Sequence, residues 1–552
     1  DPGDTLFNLY ILEHSFKHFF SSSIISPENF WSPDYFWPIS NVLTWSDHLI
    51  GPSFIYSFFR FLFDPFKSYT LWIGLTLFLN YFSFRSNLKK INQNTSDLFL
   101  SILAYALTFN PLISYLISHP QLLSLFFIGP ILFLCNKLLI SELKNVYFND
   151  FLILSICILL NGLFNVYLFV ISLFGCLICT LIFLSRKFKQ INMKFSLGKK
   201  FNFYLIPFVG LIFSNFYIYI HYLKMIEIVG RRRFYNIANN LPKFYSWLYS
   251  QGNHILPSPI MPDSNVAQNI NGVEQNLFPG WTLIFLLALS VITFLKKFNS
   301  KDSIKLKIWF LVLLILFFST ICIEIPIKFT LEIFERRISA DYIPISLWLF
   351  IKELIPGASA LRASSRLGII IVLFTGPFII HSSSYWQKIK IDILKFVFSV
   401  SLICLSLLSS IKQNYLKFSL SDWKKDVNNL SKSIKNEKCE LFWLSNINNE
   451  AGWYRNIQAM FVSLYTGKPT VNGYSGFFPY GGWSLDDHSA ERTLIWLDTI
   501  KKTNGFGRYS LKNFDQDKIC ILEKTNKKNK IKIYDINDYN LSEINSIEIL
   551  NE

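Results

Sequence analysis

Phe164 to Lys189 reads FNVYLFVISLFGCLICTLIFLSRKFK. No Asp, Glu, Lys or Arg interrupts residues 164 to 185, and Arg186, Lys187 and Lys189 close the run. About 20 apolar residues are what a helix needs to cross the hydrocarbon of a bilayer. Working outward from this stretch, further apolar windows lie at 67–85, 97–113, 121–140, 149–163, 201–223, 279–297, 306–325, 367–384 and 392–411. With 164–185 they predict about ten membrane helices.

Composition agrees. Of 552 residues, 51% are hydrophobic and only 16% charged, against about 25% charged in soluble domains. That excludes an ordinary soluble enzyme. The 56 Phe, 26 Tyr and 14 Trp exclude disorder, because so much apolar surface does not stay solvated. The net charge of +16 raises the question of nucleic acid, but residues 413–552 carry only +2 of it and the hydrophobic part +14. There it sits in short runs beside apolar windows: Arg85, Lys89 and Lys90; Arg186 to Lys200; Lys296 to Lys307; Lys388 to Lys395. This is the positive-inside pattern of a membrane protein, not a nucleic-acid stripe. With the basic runs inside, residues 1–66, 224–278, 326–366 and 413–552 fall outside the cytoplasm. Asp1 follows no basic or apolar leader, so an upstream span is expected, making eleven.

The expected fold is therefore an all-α polytopic membrane bundle over 67–412, with external loops 224–278 and 326–366. A first extracytoplasmic segment, 1–66, precedes it. Residues 413–552 change character: short apolar runs at Glu440–Leu444, Ile519–Leu522 and Ile531–Tyr534 alternate with helical spacing at Trp453–Tyr465 and Ala490–Ile500. They predict a small soluble α/β domain. Its Cys439 and Cys520 form a candidate disulfide pair, whereas Cys176 and Cys179 read as packing residues on one helix face.

Chemistry concentrates outside. Residues 1–66 carry a net charge of −5 with His14, His18 and His48. Thr5 to Phe20 has the spacing of an amphipathic helix lying on the membrane, with Asp4 as an N-cap or as a general base or metal ligand. Asp47 and His48 precede the apolar run from Leu49, either as a helix cap or as hard ligands, or as a base with its orienter. Arg231, Arg232 and Arg233 stand outside after a span, and Arg362 and Arg366 lie one helical turn apart at the entry to another. They suit lipid headgroups or the phosphate of a lipid-linked substrate. His119 and Gln121 lie in a short external turn, and Glu274 precedes the Leu277–Gly280 span entry; each alone is a weak signal.

In order, Pro2–Asn8 (PGDTLFN), Asn41–Gly51 (NVLTWSDHLIG), the turn FNPLISYLISHPQ ending at Gln121, Leu277–Gly280 (LFPG), Ile355–Arg366 (IPGASALRASSR) and Val471–Pro479 (VNGYSGFFP) resemble bacterial and archaeal polytopic membrane proteins related to the GT-C glycosyltransferases. The resemblance spans nearly the whole chain. It implies a bundle of eleven to thirteen helices in a prokaryotic cytoplasmic membrane, with the active site on the extracytoplasmic face. The donor would be a sugar on a polyprenyl phosphate and the acceptor a glycan, lipid or protein. An acidic residue of the first external loop would act in catalysis. Asp4 matches the early Gly-Asp, and Asp47 with His48 the later Ser-Asp-His. A divalent cation, Mg or Mn, is the cofactor such acidic residues would hold, with Asp4 and Asp47 as its ligands. Two other classes compete: a lipid or glycan flippase, and a non-catalytic membrane scaffold. The flippase reading is weakened by the lack of deep intramembrane charges and of paired broken helices.

Overall fold

The computed structural model describes the chain except residues 1, 22–26, 118, 142–146, 188–200, 230–233, 252–253, 261–274, 301–302, 326–328, 334–335, 341–342, 354–357, 359–363, 387–391, 412–417, 438–439, 446–450, 486–489, 508, 513–517, 525–528 and 536–552. It divides into two compact units. One comprises residues 1–71, 218–230 and 416–552; the other comprises 72–217 and 231–415.

The second unit is a helical bundle. Every apolar window of the sequence contains a helix. Among the described residues three helical stretches, Val166–Arg186, Phe208–Ile228 and Ser364–Trp386, are long and apolar enough to cross a membrane, and on that basis the chain is a membrane protein. Helix boundaries follow local chemistry. The window at 97–113 stops at Thr108 because Asn110 precedes Pro111, and Asn110 then caps the next short helix by accepting from Ile113 N at 3.1 Å. The window at 121–140 becomes helical only at Ile128, two residues before Pro130. The window at 306–325 ends as a helix at Thr320, and Ile323–Ile325 is a strand paired antiparallel with Ile343–Ile345.

The Gly368–Trp386 helix is the axis of this bundle, with every residue from Gly368 to Ser383 buried. Buried polar groups fix its neighbours. His381 Nε2 and Trp309 Nε1 lie 2.7 and 2.9 Å from the same oxygen, Asn136 Oδ1. That oxygen only accepts, so His381 carries its proton on Nε2. Ser382 meets Ser290 at 2.7 Å, and Trp386 donates to Thr293 at 2.6 Å. In membranes such interhelical bonds average about 0.6 kcal/mol each, so they set register more than stability. Close packing demands small residues: a Cβ on Gly175 would stand 2.7 Å from the Phe374 ring.

The first unit is α/β. Leu441–Ser445, buried throughout, pairs parallel with Lys518–Lys524, which pairs antiparallel with Asn529–Asp535. The Leu420–Asn436 helix buries Trp423, Val427, Leu430 and Ile434, a 3.6-residue stripe, and packs on the Gly452–Thr466 helix. Cys520 is disulfide-bonded; Cys439 lies outside the described residues.

The N-terminal segment is woven into this sheet. Phe36 N donates to Asn472 O and Trp37 N to Thr470 O, each at 3.0 Å, while Thr470 N donates to Asp34 O at 2.8 Å. Residues 469–471 in turn pair with Phe442. Helix Pro2–Phe20 is buried around most of its circumference, including Asn8, Glu13 and Ser15, where an amphipathic helix on a bilayer was expected. Glu13, fully buried, accepts from the Tyr56 hydroxyl and from Arg60 Nε at 2.7 Å, which ties this helix to Ile50–Arg60.

Candidate functional site

Asp4 stands in the first turn of the Pro2–Phe20 helix, not before it. Pro2 starts the helix earlier than the apolar spacing suggests, because proline is pre-organised for a first helical position. A carboxylate there also favours the helix dipole. Asp4 Oδ1 accepts a hydrogen bond from the Tyr474 hydroxyl at 3.0 Å, across 470 residues of chain. The Phe7 ring meets the edge of Tyr474 at 5.5 Å, and Tyr69 lies close enough to feel the Asp4 charge while bonding Thr5.

The loop that delivers Tyr474 is rigidly held. Asn472, fully buried, accepts from Leu444 N at 2.8 Å and donates to Leu444 O and Asn456 Oδ1, both at 3.1 Å. Gly473 lies flat against the Phe36 ring, where a Cβ would come within 2.4 Å. At Gly476 a Cβ would stand 2.9 Å from the Trp45 carbonyl oxygen. The Tyr474–Gly476 loop thus touches both the Asp4 turn and the Trp45–His48 stretch.

Asp47 is half-buried and His48 fully buried. His48 Nδ1 accepts from Ile50 N at 3.1 Å, at the start of the Ile50–Arg60 helix. A nitrogen that accepts is unprotonated, so Nδ1 serves the backbone and the ring proton sits on Nε2. Around it is an aromatic cluster. The Trp31 ring stacks on His221 at 4.4 Å, and His48 stands edge-on to Trp31 and Tyr222 at 6.3 and 6.1 Å. Asn41, in a left-handed turn at φ 59°, donates through Nδ2 to His221 O and accepts at Oδ1 from His221 Nδ1 at 3.1 Å. Tyr222 donates to Ser46 O at 2.6 Å. Sequence reasoning missed His221 and Tyr222 because they fall at the end of an apolar window, where a lone histidine carries no periodic signal.

The other candidates belong to the bundle unit. His119 begins the short turn at Pro120–Leu122 with its ring 5.4 Å from Tyr115, and Gln121 is buried, its Oε1 without a partner among the described residues. Arg366 lies in the 3-10 turn Ser364–Leu367, buried, its guanidinium 5.0 Å over the Tyr167 ring. Arg231, Arg232, Arg233, Glu274 and Arg362 lie outside the described residues. Among the described residues no three His, Cys, Asp or Glu side chains group as metal ligands. His48 Nδ1 is taken by a backbone N–H, and the Asp4 and Asp47 carboxylates, hard donors in themselves, do not by their number complete a centre. No family model and no curated protein matches the chain.

Proposed function

We propose that the chain is a GT-C-like membrane glycosyltransferase that moves a sugar from a polyprenyl-phosphate donor to an acceptor outside the cytoplasmic membrane. The observation that supports this reading best is the Tyr474 to Asp4 hydrogen bond of 3.0 Å. It joins the early Gly-Asp stretch to the late Val-Asn-Gly-Tyr stretch, and Gly476 of the same loop abuts the Trp45 carbonyl of a third. Three stretches that carry the resemblance thereby form one surface.

In this reading the acceptor hydroxyl oxygen attacks the anomeric carbon opposite the lipid phosphate. The carbon–oxygen bond to phosphate breaks with its electron pair leaving on the phosphate, and Asp4 takes the acceptor proton. Configuration inverts. Tyr474 fixes the plane of the Asp4 carboxylate, and His48 acts by positioning the Asp47 stretch. Arg366, with Arg231, Arg232, Arg233 and Arg362, is assigned to the leaving phosphate, where positive charge is worth most in the transition state. His119, Gln121 and Glu274 are assigned to the sugar. A Mg or Mn ion, where one binds, would rest on Asp4 and Asp47.

The test is sugar transfer from a polyprenyl-phosphate donor in isolated membranes. Asp4→Asn keeps the shape of the side chain and its acceptor oxygen for Tyr474, yet removes the base, so the rate should fall about 10² to 10⁴-fold at unchanged expression and melting temperature. An Asp4→Asn protein with full activity would leave Asp4 as a structural tie and overturn the proposal.

A further inference from the structure

Three helices of the bundle unit enclose an apolar groove of about 630 Å³. Its walls are stripes at helical spacing: Gly74 to Tyr81 on the Pro65–Ile91 helix, Leu98 to Tyr105 on Asp97–Thr108, and Ile403 to Leu407 on Asp392–Ser410. The rim is left uncovered, with Phe78 55% and Leu98 52% exposed. Hydroxyls that could orient a polar ligand are engaged elsewhere. Ser101 donates to Asp97 O at 2.9 Å, Ser406 to Thr282 at 2.9 Å, and Tyr105 meets Ser410 at 3.4 Å. At Gly74 a Cβ would meet nothing within 4 Å; the missing side chain is what hollows the groove.

One end is charged. Arg85 continues the Gly74–Tyr81 stripe by one turn, and its Nε donates to Ser101 at 3.1 Å inside the groove. Arg85 and Lys89 both face Asp97, at 3.6 and 3.3 Å. Two cations on one carboxylate leave a net positive end.

We infer that this groove binds one acyl chain of an anionic phospholipid, with its phosphate at Arg85 and Lys89. A volume of this size is ordinary for a small-molecule site, and a wall of hydrocarbon with a basic end matches a lipid in both chemistry and polarity. The inference rests on the membrane reading of the chain and is independent of the transferase proposal.

The experiment is native mass spectrometry of the full chain released from nanodiscs made of equal parts phosphatidylglycerol and phosphatidylcholine. The wild type should retain one lipid, predominantly phosphatidylglycerol. Gly74→Phe places a ring in the empty space without a backbone clash and should lower occupancy about tenfold or more. Leu98→Glu, an exposed rim position, should do the same if the first variant folds poorly. Arg85→Gln keeps the reach to Ser101 and should lower the preference for phosphatidylglycerol about fivefold while the chain still binds. Equal lipid retention by wild type and both groove variants overturns the inference. So does a dimer whose interface covers Leu98 and Phe78, which would make a second copy the occupant. Loss of the protein from carbonate-washed membranes would sink the membrane reading instead.

Discussion

His14 is held neutral by the fold. It bonds the Phe30 carbonyl at 2.9 Å, and burial lowers its pKa to about 4, opposed by that carbonyl and reinforced by His18. Burial depresses His18 as well. In the unfolded chain His14 takes a proton near pH 6.5, so between about 6.5 and 4 the unfolded state binds more protons. Stability is therefore flat above that window and falls as pH drops through it, by at most about 3 kcal/mol for His14 and less because part of the residue reaches water. Thermal unfolding of His14→Gln should show a shallower loss between pH 6.5 and 4 than the wild type, with His18 supplying the remainder; an unchanged slope would refute the assignment. At the same scale, Tyr56→Phe leaves the buried Glu13 without one of its donors and should lower stability by about 1 to 3 kcal/mol, read by chemical denaturation. Asp4 and Asp47 stood out in the sequence because carboxylates before apolar runs are conspicuous. Tyr474 did not: its partner is 470 residues away, and nothing local announces such a bond.

Elements divide by the range of the forces that make them. The apolar windows were legible because helix and bilayer both act locally, and Leu441–Ser445 and Lys518–Lys524 stand within a residue or two of the short apolar runs that predicted them. Helix ends were legible where proline or asparagine set them, as at Asn110 and Pro111. The 34–40 stretch was not. Its backbone bonds go to residues 470, 472, 510 and 512, so its own residues, with Pro38 among them and Pro33 just before, read as an irregular turn. The burial of Pro2–Phe20 was hidden for the same reason. Where two helices press together, a single methyl is decisive: Gly175→Ala drives a Cβ to 2.7 Å from Phe374. Overpacking of this kind costs about 1 to 3 kcal/mol, so this variant should melt lower in detergent than Gly74→Ala, whose Cβ meets open space.

For the molecule as a whole, the first segment, residues 218–230 and the C-terminal segment form one unit, and we read the first and C-terminal segments as lying on one side of the bilayer. Our reading puts that side outside the cytoplasm. Thr503→Cys, at an exposed position, should react with an impermeant thiol reagent in intact cells, and the equally exposed Asn299→Cys should not; the opposite pattern would invert the orientation. The same weave imposes an order in time. A ribosome adding about 5 to 20 residues per second reaches Tyr474 roughly 25 to 95 s after Asp4, 470 residues earlier. Throughout that interval residues 34–40 lack the backbone partners at 470, 472, 510 and 512 that they bond in the folded chain. Quality-control factors that hold nascent chains therefore have this interval in which to engage the segment, and truncations that remove the last hundred residues should be degraded faster than the full chain.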